Sequence, residues 1–290
     1  MTTRRKAKVA LAIGAVILTV IIFLSTFQLS SAQTFASAGN SGEGEAKKGV
    51  PLTILMYHEL SNRKCSEHIL SPAAFEQDLK YIADNNYTSI VMQDIFNYLD
   101  CGIALPEKPV MITFDDGGKT DYTQAFPLLK KYNTKAVISV VGHYLERQYN
   151  EKGELNGVYN NSLTYDMMTE MQQSGLIEFQ NHTYKLHSFV ERKGMRNTKG
   201  ECLEKYENLL KEDLYKVDAL LQEKLNIKLN TITFPYGSYS KDTITTIKKL
   251  GYRASLTCNE GTNYITPDTN LFLLKRYNRN PSRNAQKILG

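Results

Sequence analysis

The sequence predicts an α/β fold built on a parallel sheet, and three observations support this. Short apolar runs recur at 53–57 (TILMY), 110–114 (VMITF), 136–141 (AVISVV), 176–180 (LIEFQ), 231–234 (TITF) and 252–257 (YRASLT), with SIVM at 89–92 as a weaker case. Several are apolar with little alternation, as expected of strands buried on both faces of a sheet. Helical patterns lie between them, and this alternation favours a parallel sheet, open or closed into a barrel. A chain of 290 residues can bury a sizeable core, and a single α/β domain above about 200 residues is ordinary.

Taken in order, the N-terminus reads as targeting. Arg4, Arg5, Lys6 and Lys8 precede an apolar run from Val9 to Leu24. That run is long for the core of a signal peptide (about 7–15 residues) and short for a membrane span of about 20. Extended through Phe27 it would cross a bilayer, while Ser30-Ser31-Ala32 and Ala36-Ser37-Ala38 offer cleavage sites. Residues 1–32 are expected to be a signal-anchor or a cleaved signal peptide, two readings the sequence weights equally. Both put the rest outside the cytoplasm, secreted or membrane-anchored at a bacterial cell surface. Residues 33–49 (QTFASAGNSGEGEAKKG) have the composition of a flexible linker, and 50–290 form one catalytic-size domain without internal repeats.

Within that domain Ser71-Pro72 pairs an N-cap with a proline at the first helical position, ahead of Phe75, Leu79 and Ile82. A second helix, Asp166 to Gln173, is closed by Gly175. A long amphipathic stretch runs from about Leu203 to Leu225, and Ser240 opens a helix ended by Gly251.

Six basic and two acidic residues among the first 49 account for +4 of the net charge of +5. The domain is therefore nearly neutral, which argues against a nucleic-acid partner; nothing points to an obligate protein partner. Cys65, Cys101, Cys202 and Cys258 contain no CxxC pair and do not suit a cysteine metal site. Two disulfides or free thiols are both compatible with them.

Chemistry-bearing residues collect where the apolar runs stop. His58 follows TILMY, Asp115 and Asp116 follow VMITF, His182 follows LIEFQ by one residue, and Pro235-Tyr236-Gly237 follows TITF. In parallel α/β folds the C-terminal ends of strands open on one face, where sites gather. Asp116, His182 and His187 make a two-histidine, one-carboxylate ligand set with open positions for water and substrate. The histidines stand five apart, wrong for one helix face, so a strand-exit loop is expected to bring them round. Adjacent aspartates repel. At a strand end, with Gly117 and Gly118 following, the chain leaves the pleat and both carboxylates reach one site, one to bind metal and the other free as a base.

These motifs carry a resemblance. TFDDG (113–117) resembles the signature of the polysaccharide deacetylases, also called the NodB-homology family or carbohydrate esterase family 4. HTYKLH (182–187) resembles the family's histidine motif, and FPYG (234–237) its Pro-Tyr-Gly motif. The resemblance runs from about Val50 to about Asn280. It implies a distorted (β/α)7 barrel that hydrolyses acetyl groups on sugars with a divalent metal, often zinc; two histidines and one aspartate also suit iron, cobalt or nickel. It further implies Asp115 as base, Asp116, His182 and His187 as metal ligands, and the Tyr236 backbone N–H as an oxyanion donor. LLKRYNR (273–279) resembles a late strand of the family, which implies Leu274 in an acetyl pocket and Arg276 orienting the base; Pro235 is a further expected substrate contact, and Tyr184 and Tyr239, in site loops, are expected to stack on sugar rings.

Three departures narrow the match. The histidines are separated by four residues where the family commonly has three. The usual arginine upstream of Pro-Tyr-Gly is missing. The family's usual acid, a C-terminal histidine in Leu-x-His, is absent, because no histidine follows His187. His58 is the expected replacement, which resembles the branch acting on poly-β-1,6-N-acetylglucosamine; His68 and His143 are expected to be structural or surface residues. The expected function is N-deacetylation of N-acetylglucosamine-containing polysaccharide. A peptidoglycan or chitin-oligomer deacetylase is the first alternative, and a catalytically weak polysaccharide-binding surface protein the second.

Overall fold

Six of the apolar runs become strands of one curled sheet. Val50–Tyr57 (β1), Pro109–Asp116 (β5), Ala136–Val140 (β6), Ile177–Asn181 (β7), Thr231–Thr233 (β8) and Ala254–Leu256 (β9) pair in parallel in that order. This computed structural model describes residues 49–290 except 64–65, 151, 156, 158–159 and 189–191. The expected signal segment, residues 33–48 of the expected linker and Cys65 lie outside the described residues. Among the described residues no helix is long and apolar enough to cross a membrane, and Cys101, Cys202 and Cys258 are free thiols.

The segment 274–279 joins the two ends of the sheet. Leu274 bridges Leu256 of β9, while Tyr277–Asn278 (β11) pairs in parallel with Leu55 and Met56 of β1. Its backbone bonds reach both sides: Leu274 N–H donates to the Ser255 carbonyl and Arg279 N–H to the Met56 carbonyl, each at 2.9 Å. The result is the distorted (β/α)7 barrel. At the margins Thr88–Ser89 (β4) extends β5 and Asn263–Ile265 (β10) runs antiparallel to the start of β1. A two-rung parallel ladder, Glu59–Leu60 (β2) with Ile69–Leu70 (β3), sits at the exit of β1.

Helices form where the sequence caps them. In Pro72–Asp84 (α1) the Ser71 hydroxyl accepts from the Ala74 N–H at 3.2 Å, and Phe75, Leu79 and Ile82 are buried on one stripe. Leu203–Leu225 (α6) buries Leu210, Leu214, Val217, Leu221 and Leu225, each side chain contributing about 1.5–3 kcal/mol of hydrophobic stabilisation. Met92–Cys101 (α2) was not expected: only the first residue of SIVM is strand, and Met92 opens this helix. The Asp94 carboxylate accepts the Val91 N–H at 2.9 Å and so turns a short apolar run helical, an ambiguity that periodicity does not resolve.

Strand alternation sorts the core. Leu55, Tyr57, Val110, Ile112 and Phe114 face the outer helices. Leu52, Ile54, Met111, Val137 and Leu256 face inward onto Ile95 and Phe96 of α2. Higher on the same inner face the residues turn polar: Thr113, Asp115, Ser139 and Thr233 are all buried, and the Ser139 and Thr233 hydroxyls lie 2.7 Å apart. The barrel is thus apolar at its base and hydrophilic toward the strand exits.

Beyond β5 the chain makes a π-turn at Asp121–Ala125, leading into Phe126–Lys131 (α3). Asp121 is fully buried. Burial raises its pKa well above the ordinary carboxylate value, and the charges of Asp116, Asp115 and Glu59 raise it further. A carboxyl held neutral in the fold contributes stability that is complete below its unfolded pKa of about 4 and is lost as pH rises through the folded value. We expect Asp121→Asn, which stays neutral, to gain in melting temperature relative to the wild type as pH rises from 5 to 8; a pH-independent difference would refute this.

Candidate active site

The exits of β1, β5, β7 and β8 open on one cleft of about 1260 Å³, whose lining includes His58, Asp115, Asp116, His182, His187 and Tyr236. The two aspartates separate because of backbone geometry. Asp115 continues the inward face of β5 with Met111 and Thr113, whereas Asp116 has φ +80° and leaves the pleat. Gly117 follows at φ +71°, and a Cβ there would stand 2.8 Å from the Val140 side chain, so glycine is required twice over.

Thr183, at φ +70°, turns the chain between the two histidines, so their five-residue spacing delivers both rings to Asp116. His182 Nδ1–H donates to the Thr233 carbonyl at 2.8 Å, which leaves its Nε2 lone pair toward the cleft, 3.5 Å from Asp116 Oδ1. His187 Nε2 lies 3.1 Å from the same oxygen. Its Nδ1 meets the hydroxyls of Tyr236 at 3.1 Å and Tyr144 at 3.3 Å. His182 Nε2 thus presents a lone pair, and His187 Nε2 presents one in the tautomer whose Nδ1–H donates to those hydroxyls; both converge with a carboxylate oxygen. Asp116 Oδ1 is buried without a hydrogen-bond partner. The three donors lie within 4.8 Å of one another, and tetrahedral zinc with ligands at about 2.0–2.2 Å would separate them by roughly 3.3 Å. The set fits a divalent cation.

Asp115 lies beside this cluster and is held by a different charge. Arg276 Nη1 and Nη2 donate to its two oxygens at 2.7 and 2.8 Å, with the arginine wholly buried. Burial alone would raise the Asp115 pKa; the guanidinium outweighs it and holds the carboxyl well below the usual carboxylate range. Nη1 also reaches the Thr113 hydroxyl at 3.1 Å, and Nε donates to the Thr257 carbonyl at 2.8 Å. Burial holds the His58 imidazole below its ordinary pKa, and the charges of Asp115 and Asp116 offset this only in part.

The polysaccharide deacetylase profile matches residues 102–255, more than half of the chain. The chain belongs to the polysaccharide deacetylase family. It is 27% identical over 226 residues to the poly-β-1,6-N-acetyl-D-glucosamine N-deacetylase of Staphylococcus aureus strain MSSA476, covering 78% of this chain and 72% of that protein. Among solved structures it resembles IcaB from Ammonifex degensii, with 27% identity and a TM-score of 0.67 over 81% of this chain and 94% of that one. It also resembles the Streptococcus pyogenes deacetylase PplD in complex with acetate, with 26% identity and a TM-score of 0.65 over 83% and 99%.

In this deacetylase, several expected substrate contacts lie elsewhere. Tyr184 is 8% exposed and packs on Gly142, its hydroxyl on the Glu146 carboxylate at 2.5 Å and the Lys216 ammonium over its ring. The turn at Thr183 sends it down onto the helices, away from the cleft. Leu274 is 3% exposed and belongs to the inner apolar layer with Leu256, because that layer lies below the level its neighbour Arg276 reaches. Pro235 is buried and starts the turn that gives Tyr236 its φ of +57°. Tyr239 stacks on Phe234 at 5.0 Å. None of these four side chains lines the cleft.

Further residues line the cleft without an expected role there, His68 and Tyr144 among them. His68 lies against His58 with ring centroids 4.5 Å apart and planes tilted by 53°, brought there by the two-rung ladder of β2 and β3. Tyr144 stands four residues past the end of β6, where the strand-exit rule points but no charged residue drew notice. His143 has its ring edge on Tyr184 and does not line the cleft.

Removing Arg276 would leave an uncompensated buried carboxylate. We expect Arg276→Met to cost about 3–5 kcal/mol of stability and to move the acidic limb of the kcat/KM profile to higher pH. The sign follows from the depressed folded pKa of Asp115, whose stabilisation is present above about pH 4 and lost as pH falls through that lower value. Chemical unfolding and a pH–rate series measure both effects.

Proposed function

We propose that the deacetylase removes N-acetyl groups from N-acetylglucosamine-containing polysaccharide, poly-β-1,6-N-acetylglucosamine foremost, outside the cytoplasm. The observation that carries this reading is the meeting, in one cleft, of a carboxylate tied only to arginine, a three-donor cluster and an imidazole from the first strand exit. Similarity to a poly-β-1,6-N-acetylglucosamine N-deacetylase over most of the chain supports the substrate.

Asp116, His182 and His187 would hold a divalent cation, zinc foremost, which supplies Lewis-acid polarisation and lowers the pKa of water. Asp115, ionised and fixed by Arg276, takes the proton of the attacking water. The Tyr236 N–H donates to the oxyanion as charge develops on the former carbonyl oxygen. As the C–N bond breaks, its electron pair goes to nitrogen and His58 supplies the proton, giving acetate and a free amine. The Thr233 carbonyl, on His182 Nδ1–H, keeps that ring's other nitrogen unprotonated for ligation.

Asp115→Asn should lower acetate release by about 10²–10⁴-fold while leaving metal affinity near wild type, whereas Asp116→Ala should lose both. Equal metal loss in the two variants would reverse the assignment. For the substrate, stripped enzyme with each of zinc, iron, cobalt and nickel is assayed on β-1,6 and β-1,4 N-acetylglucosamine oligomers. Faster β-1,4 turnover would favour peptidoglycan or chitin oligomers, and sugar binding without turnover under every metal would make this a binding protein.

A further inference from the structure

His58 differs from most catalytic imidazoles in how its ring is held. Such a ring is normally oriented by a hydrogen bond at the nitrogen away from the chemistry. His58 Nδ1 is buried and has no hydrogen-bond partner among the described residues, so none of them fixes the ring on that side by bonding. What touches the ring is another imidazole: His68 lies with its centroid 4.5 Å away and its plane tilted by 53°. His68 is exposed at the edge of the same cleft.

The backbone makes this contact a built feature rather than a chance meeting of two side chains. Glu59, next to His58, donates its N–H to the His68 carbonyl at 3.0 Å, and Ser61 N–H donates to the Leu70 carbonyl at 2.8 Å. The pairs Glu59 with Ile69 and Leu60 with Leu70 then fix the register. A one-residue slip in that ladder would swing His68 to the other face. The turn before it is closed by the Ser66–Ile69 bridge, and the His68 N–H reaches the Ser66 hydroxyl at 3.4 Å.

We propose that His68 is a positioning residue for the acid, its ring replacing the missing hydrogen bond and holding His58 with Nε2 toward the leaving nitrogen. This rests on the reading that His58 delivers the proton to the amine. A misdirected acid loses rate only where the leaving group needs that proton. An acetamide needs it, whereas an aryl acetate expels a stable phenolate without it.

The test compares wild type, His68→Ala, His68→Phe and His58→Ala in the zinc-loaded enzyme, on an N-acetylglucosamine oligomer and on 4-nitrophenyl acetate. His68→Ala should lose about tenfold in kcat on the oligomer, within the 10²–10⁴-fold span of a whole general acid, with KM and aryl ester turnover unchanged. His68→Phe, which restores a ring without a proton-carrying nitrogen, should recover most of that loss. Melting temperatures near wild type in both variants exclude a folding defect. The proposal is overturned if His68→Ala keeps the wild-type oligomer rate, if it loses equally on both substrates, or if His68→Phe is no better than alanine. If His58→Ala itself keeps its oligomer rate, the acid assignment fails, and the positioning role falls with it; His58→Ala separates that failure from the others.

Discussion

The buried pair between Asp115 and Arg276 is the contact on which both barrel and site depend. Arg276 comes from the segment that joins β9 to β1, and its guanidinium reaches the Thr113 hydroxyl and Asp115 on β5 and the Thr257 carbonyl after β9. One side chain thereby ties the centre of the sheet to its seam. Taking two charges out of water is expensive, and such a pair is worthwhile only when its geometry is bidentate and its remaining donors are used. Both conditions hold here. The consequence for reactivity is a carboxylate so acidic that it is a weak base toward ordinary water. On the proposed reading, Asp116, His182 and His187 would hold a cation that lowers the pKa of water, which is the chemical complement to such a carboxylate.

Around that pair the backbone is held in unfavourable conformations. Asp116, Thr183 and Tyr236 all have positive φ, a region that costs of order 1–3 kcal/mol for a non-glycine residue, and each stands at a strand exit facing the cleft or turning toward it. The surrounding bonds show how Thr183 is kept there. Its N–H donates to the Asn181 side chain at 2.7 Å. That amide donates to the Leu214 carbonyl and the Asp218 carboxylate of α6 and to the Tyr252 hydroxyl. The long amphipathic helix thus does more than cover the sheet, because it holds the turn that brings two imidazoles to one carboxylate oxygen.

Much of this was legible in the sequence because strand exits announce themselves. Apolar runs ended by His58, Asp115, Asp116 and His182 place those residues on one face by topology alone. Side-chain direction was not legible, since one φ value decides it. Asp115 and Asp116 are sequence neighbours that diverge at φ +80°, and Tyr184 is turned out of the site by the positive φ of the residue before it. Leu274 and Arg276 share a face of one extended segment, yet two residues of rise take the inner layer from the apolar Leu256 level to the polar Thr113 level. His68 was missed for another reason: its approach to His58 depends on strands two residues long, below the length at which alternation carries information.

Barrel closure also gives a physical account of the departures from the usual family pattern. The family's common arrangement takes its base-orienting arginine from just before Pro-Tyr-Gly and its acid from a C-terminal Leu-x-His. This chain has Thr231–Phe234 at the first position and Leu274-Lys275-Arg276 at the second. Because 274–279 pairs with β1, the last strand exit and the first are neighbours although some 220 residues separate them in sequence. A proton donor moved from one to the other stays beside the same cleft, and the vacated C-terminal position is free to supply an arginine. Arg276 reaches Asp115 from there, so on the proposed reading the guanidinium and the imidazole change strands while the base they serve does not move. On the proposed reading, the absence of a late histidine is no sign of a lost activity, because the requirement is a donor near the leaving nitrogen, and a closed barrel meets it from either end of the chain.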